Sequence, residues 1–134
     1  MIVTVNGCFD LLHVGHIRFL KKASEYGELI VLLNSDLSIK RLKGPTRPIL
    51  PQNERIEMLT SLACVSKVIL FDDDTPLRVL EEIKPDIHIK TTKSIPQLVE
   101  KEKEVVERNG GKIIFIEADE NSSTDLIKRI KQLD

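Results

Sequence analysis

Asn6-Gly7-Cys8-Phe9-Asp10-Leu11-Leu12-His13-Val14-Gly15-His16-Ile17-Arg18-Phe19-Leu20 is the stretch on which the reading of this chain turns. Ahead of it, the apolar run Ile2 to Val5 reads as a buried strand. That strand stops at Gly7, the permissive residue a sharp turn wants. Behind it, a helix is expected to bury Phe19, Leu20 and Ala23 at helical intervals. His13 and His16 stand three apart, a spacing that puts both imidazoles on one side of a first helical turn. Gly15 removes a side chain where a ligand would approach the backbone. Strand end, small-residue turn and helix N-terminus together make a natural phosphate site, with free N–H groups and a positive dipole end.

Working outward, strand and helix alternate along the rest of the chain. Tyr26-Gly27 supplies a C-cap, and Leu29 to Leu33 is a second buried strand. Asn34-Ser35-Asp36 offers N-caps for a short helix reaching about Leu42. A basic, proline-stiffened loop from Lys40 to Pro48 follows, and Pro51 and Asn53 introduce the next helix. Val68 to Phe71 is a third strand, ended by Asp72-Asp73-Asp74, and Thr75-Pro76 starts a fourth helix. Ile87 to Ile89 makes a fourth strand, and Ile95 to Asn109 reads as helical. Its Glu100-Lys101-Glu102-Lys103-Glu104 run reads as a solvated face carrying pairs such as Glu100–Lys103 and Glu104–Arg108. Ile113 to Ile116 is a fifth strand, and a last helix buries Leu126, Ile127 and Ile130.

Strands that are apolar rather than alternating ask for a parallel sheet covered on both faces. The expected fold is therefore α/β: a Rossmann-like, doubly wound five-stranded sheet in the order 3-2-1-4-5, as a single domain over residues 1–134. Ligands of such sheets bind beyond the carboxyl ends of strands one and four, where His13, Lys90 to Ser94 and the Glu120 region fall.

Composition narrows the function. A net charge of −1 argues against a dedicated nucleic-acid binder, and the absence of Trp argues against a stacking platform for single strands. Cys8 and Cys64 are far apart, so reduced thiols are expected rather than a disulfide framework, and Cys8 reads as small-residue filler. No run approaches a membrane span and Met1 leads directly into a strand, so a cytoplasmic protein without membrane contacts is expected. Neither a Walker-type loop nor Gly-x-Gly-x-x-Gly occurs, which removes the best support for P-loop and dinucleotide readings.

The decapeptide Gly7 to His16 closely resembles the His-x-Gly-His signature of the cytidylyltransferase-like nucleotidyltransferases. The resemblance implies an enzyme that moves AMP or CMP from ATP or CTP to a small phosphorylated acceptor and releases pyrophosphate. It also implies nucleotide or phosphate contacts at Gly7, Cys8, Phe9, Asp10 and Gly15. Such a transfer needs in-line placement and charge stabilisation more than covalent help. His13 and His16 are accordingly read as transition-state stabilisers, partly charged near neutrality, and not as general bases. Lys43 is a third candidate, either a mobile charge for a phosphate or a solvated loop lysine. Arg55 fits a family arginine, or else pairs with a neighbouring acid. Ser122, Ser123 and Thr124 are similar to the family's second signature, although plain N-capping explains them equally well. Mg²⁺ is expected to come with the triphosphate, held by its oxygens and water.

Among subfamilies the likeness is to heptose-1-phosphate adenylyltransferases of lipopolysaccharide-core biosynthesis. It is carried by Asn34-Ser35-Asp36, Arg41 to Pro45, Arg47-Pro48-Ile49 and Phe71 to Leu77. One loop departs. Where the subfamily shows Lys-Gly-Gly-Asp and an aromatic, this chain has Lys90-Thr91-Thr92-Lys93-Ser94, with Lys90, Thr91 and Thr92 as candidate nucleotide contacts. The missing carboxylate and ring leave nucleobase and acceptor open. Two rival readings also stay open: a nucleotide-binding module that has lost turnover, and FAD-synthase-like transfer to a flavin phosphate. Relatives often pair as dimers, so a homodimer is a further expectation.

Overall fold

Apolar strands alternate with helices in the computed structural model, which describes residues 1–118 and 123–133. The order is β1 (Ile2–Gly7), α1 (Val14–Ser24), β2 (Glu28–Asn34), α2 (Asp36–Lys43), α3 (Gln52–Thr60) and β3 (Lys67–Phe71). It continues with α4 (Leu77–Ile83), β4 (Ile87–Thr91), α5 (Pro96–Arg108), β5 (Lys112–Ile116) and α6 (Ser123–Lys131). The five strands form one sheet in the order β3-β2-β1-β4-β5, every neighbour parallel. This is the Rossmann-like arrangement that the apolar strands predict.

Successive side chains of a strand point to opposite faces, so each buried strand feeds two layers. Val3, Val5, Leu29, Val31, Leu33, Ile87 and Ile89 pack with Leu20 and Ala23 of α1 and Leu59 of α3. Ile30 and Leu32 pack on the other face with Val79 and Leu80 of α4 and Val105 and Val106 of α5. The same alternation turns Thr4 and His88, which are register partners on β1 and β4, towards the α5 side.

Several boundaries move for identifiable reasons. β1 runs on to Gly7 because Asn6 and Gly7 keep pairing with Leu32 and Leu33 of β2. The C-cap of α1 is Glu25 rather than Gly27. Gly27 serves a close approach instead, since a Cβ there would come 2.4 Å from the Met1 carbonyl oxygen. α4 begins at Leu77, with Pro76 at its N-cap and no side-chain capping bond, so Thr75 does not cap it. The acidic–basic run of α5 is not a uniformly solvated face. Glu102 is only 3% exposed, and the ion pairs found are Lys90–Glu102, Lys103–Glu107 and Arg108–Glu81 instead of those the spacing suggested.

Candidate active site

The turn after β1 is shaped by its own side chains. Phe9 adopts φ +45°, unusual for a residue with a Cβ, and its ring is buried beneath Gly7. A Cβ on Gly7 would lie 3.0 Å from Phe9 Cε2, so a larger residue at 7 would push the ring away. The Phe9 ring also packs on His16, with centroids 5.1 Å apart. Phe9 thereby seats the histidine.

His13 is the N-cap of α1, and the two histidines cap the helix reciprocally. His13 Nδ1 accepts the Gly15 N–H at 3.0 Å, while His16 Nδ1 accepts the His13 N–H at 3.4 Å. The rings stack with centroids 4.0 Å apart. With Nδ1 accepting, each ring proton sits on Nε2. The first-turn N–H groups expected to meet phosphate are thus partly taken by His13, whose imidazole passes the positive helix end on to Nε2. That Nε2 is buried and has no hydrogen-bond partner among the described residues.

Burial pulls the His16 pKa down to about 4, helped by the nearby His13 and Lys43 and opposed by a hydrogen bond to the Leu11 backbone. His16 is therefore uncharged at neutral pH, which corrects the expectation of partial charge. Because the folded value lies below the unfolded value of about 6.5, the unfolded chain binds more protons between the two. Stability should consequently be full above pH 6.5 and fall towards pH 4, His16 contributing roughly 3 kcal/mol. Urea unfolding of the native chain and of His16→Asn across this range measures it. The slope should flatten in the variant, and an unchanged slope would assign the pH dependence elsewhere.

Asp10 and Arg55 are both buried and bonded within the protein. The Asp10 carboxylate accepts the backbone N–H groups of Ile49 and Leu50 at 2.8 and 2.9 Å, and Arg47 Nη1 at 3.3 Å. Arg55 is 1% exposed. It donates to the carbonyls of Leu50, Cys8 and Asn34 and to Asp36 Oδ1, all within 3.0 Å. Both were expected to touch phosphate; both instead brace the signature turn against the loop between α2 and α3. The neighbouring-acid alternative for Arg55 holds, with Asp36 as the acid. Burial pushes the Cys8 thiol up, against the pull of Lys43 and Arg55, so it stays protonated.

Thr91 and Thr92 make contacts within the protein. Thr92 Oγ1 accepts the Ala118 N–H at 3.2 Å, and Thr91 Oγ1 lies 3.4 Å from Ser94 Oγ. These hydroxyls tie the loop to the end of β5 and to itself. Ser122 lies outside the described residues, as do the side chains of Ser123 and Thr124, which open α6. Lys43 closes α2 on the exposed surface, and its charge reaches both His16 and Cys8.

Two cavities flank the start of α1. One of about 330 Å³ lies beyond the ends of β1, β2 and β4, lined by Gly7, Cys8, Asn34, Leu77, Lys90 and Glu102 among others. The other, about 150 Å³, lies between α1 and the end of β5 and touches Gly15, Arg18 and Glu117. Lys93 and Ser94 line the first cavity, so the divergent loop borders the Gly7–Cys8 side. Sequence reasoning missed His88 and Glu102. The signal was a histidine inside the apolar run Ile87-His88-Ile89, since a buried imidazole needs a partner. Among the described residues no three His, Cys, Asp or Glu side chains converge to hold a metal ion, so they offer no protein cage for Mg²⁺.

The chain as a whole has counterparts among known proteins. A family model described as cytidylyltransferase-like matches residues 4–129, and the chain belongs to that family of nucleotidyltransferases. Within it, the chain is similar to the bifunctional protein HldE of Syntrophotalea carbinolica, 47% identical over 131 residues. The HldE of Campylobacter concisus is 46% identical over 135 residues. These matches cover 96% and 97% of the chain but only 26% and 27% of the relatives. The chain therefore spans about a quarter of their length. Among solved structures, the lipopolysaccharide core biosynthesis protein of Thermoplasma volcanium superposes with TM-score 0.71 and 27% identity, covering 91% of this chain and 98% of that one. Pantoate-beta-alanine ligase from Francisella tularensis shares the fold alone, with TM-score 0.65, 19% identity and coverage of 97% and 69%. No described helix is long and apolar enough to cross a membrane.

Proposed function

We propose that the chain transfers a nucleoside monophosphate from an NTP to a sugar or polyol phosphate, an activity most like heptose 1-phosphate adenylyl transfer. The observation that carries this reading is His13 Nε2, a buried donor without a partner, aimed from the positive end of α1. A buried N–H left unpaired is costly unless a ligand oxygen completes it. In the reaction an acceptor phosphate oxygen forms a bond to the α-phosphorus as the bridge to the β-phosphate breaks. The electron pair leaves with pyrophosphate. His13 Nε2–H donates to the oxygens on which negative charge grows, and the stacked, uncharged His16, its own ring bonded to the Leu11 backbone, holds the His13 ring in place. The NTP lies on the Gly15 side and the acceptor in the larger cavity, with the histidines between them. Mg²⁺ travels with the triphosphate in this reading, and no step depends on a protein ligand to it.

Lys43 supplies a mobile positive charge near the same place. Lys43→Ala should raise KM for the NTP or the acceptor by about tenfold, while stability changes by less than about 0.5 kcal/mol, as expected for an exposed residue. Normal kinetics with lowered stability would make it structural.

The deciding experiment is a panel of ATP, CTP, GTP and UTP against heptose 1-phosphate, mannose 1-phosphate, glycerol 3-phosphate and FMN, read as pyrophosphate release. Turnover with a sugar or polyol phosphate supports the proposal, and turnover with FMN alone supports the flavin reading. Tight NTP binding by calorimetry without turnover on any acceptor makes the chain a binding module.

A further inference from the structure

One wall of the larger cavity is built from a buried polar chain. His88 is fully buried, with Nδ1 2.7 Å from Thr4 Oγ1 and Nε2 2.8 Å from Glu102 Oε1. Lys90 Nζ lies 3.2 Å from the same Glu102 oxygen and donates to Asn6 Oδ1 at 2.9 Å. Burial alone would raise the Glu102 pKa, but the bonds from His88 and the charge of Lys90 outweigh it and leave the carboxyl below its usual range. Burial likewise holds the His88 pKa down. The imidazole is then neutral, donating through Nε2 to Glu102 and accepting the Thr4 hydroxyl at Nδ1.

Two features of this wall go beyond holding the sheet to α5. Both contacts to Glu102 fall on Oε1, while Oε2 is not among the buried atoms without a partner and so keeps access to the cavity that Glu102 lines. Glu102, Lys90 and Asn6 all line the cavity. A buried carboxylate carries a desolvation cost that an apolar pair at 88 and 102 would avoid, so stability alone does not favour it. What the pair offers is a donor beside an acceptor, since Lys90 has a third N–H and Glu102 a second oxygen. A phosphate would accept from Lys90 but be repelled by Glu102. Two neighbouring hydroxyls match both groups, one accepting from Lys90 and one donating to Oε2.

Resting on the nucleotidyltransferase reading, we infer that Lys90 and Glu102, braced by His88 and Thr4, form a diol-binding subsite that selects a polyhydroxylated acceptor and holds its hydroxyl end. The phosphate of that acceptor then lies at the other end of the cavity, by Gly7 and Cys8, next to the histidines. Lys90 is thereby an acceptor residue and not a nucleotide residue, and His88 is a positioning residue.

The test is calorimetric binding of heptose 1-phosphate, mannose 1-phosphate and glycerol 3-phosphate, each compared with analogues lacking one hydroxyl of each neighbouring pair. The native chain should bind at least one parent compound about tenfold more tightly than its deoxy analogue, the loss expected for a charge-assisted hydrogen bond. The double variant His88→Leu/Glu102→Leu replaces the buried pair with apolar packing and should keep its thermal transition. It should lose that discrimination while its NTP affinity stays within about twofold, because the subsite is remote from the triphosphate. Equal binding of parent and deoxy compounds by the native chain overturns the subsite, as does failure to bind any of the three. A folded double variant that discriminates like the native chain also overturns it. Pyrophosphate release separates the two levels of inference. Turnover with FMN alone removes the subsite and leaves the enzyme. Diol discrimination without turnover on any acceptor removes the enzyme and leaves the subsite.

Discussion

His13→Ala and His16→Ala should each lower turnover by about a hundredfold or more. For His13 the loss is that of one preorganised donor to developing charge, about 3 kcal/mol in comparable sites. The His13 Nε2–H is already buried and oriented, because Nδ1 is anchored on the Gly15 N–H and the ring is stacked on His16. It needs no reorganisation when charge appears on the phosphate. For His16 the effect is a loosened His13, since the stacked ring and its contact with the His13 N–H go together. NTP affinity should fall less than turnover in both variants, because ground-state oxygens carry less charge than those of the transition state. Single-turnover rates under saturating NTP, beside NTP affinities by calorimetry, measure the two effects separately. Near-normal turnover in either variant would remove that histidine from the reaction. The uncharged state of His16 adds a second expectation: its ring signals in NMR should not titrate between pH 6 and 8.

Arg55→Met should cost about 3–5 kcal/mol of stability, the range for removing one partner of a buried ion pair. The methionine fills part of the volume but leaves the carbonyls of Cys8, Asn34 and Leu50 without their donor and Asp36 without its counter-charge. Each buried acceptor so stranded adds its own desolvation penalty. Urea denaturation at neutral pH reads the loss directly. A variant with near-native stability and a raised KM for the triphosphate would return Arg55 to the phosphate-binding role that the family likeness implied.

The fold was legible because apolar strands and amphipathic helices each announce themselves within a few residues. Runs such as Leu29 to Leu33 have no polar face, and only a sheet covered on both sides accommodates them. The histidine pair was legible for the same local reason, since a spacing of three fixes which side of a helix it occupies. Asp10 and Arg55 were misread because their partners, Ile49, Leu50, Cys8 and Asn34, are backbone groups that no motif records. Glu102 was hidden by its surroundings in sequence, four charges that do face solvent. Its burial follows from His88 on a strand fourteen residues earlier, a pairing that only the packing of α5 on β4 reveals.

Asp10 grips the loop between α2 and α3 largely by the amide groups of Ile49 and Leu50, and Arg55 grips it by the carbonyl of Leu50. A clasp on the main chain is indifferent to what the side chains are. Positions 49 and 50 therefore accept almost any residue except proline, which lacks the N–H that Asp10 needs. The segment is an exchangeable cassette on a fixed chassis: a foreign loop can be grafted there while the histidines held by the same turn keep their alignment.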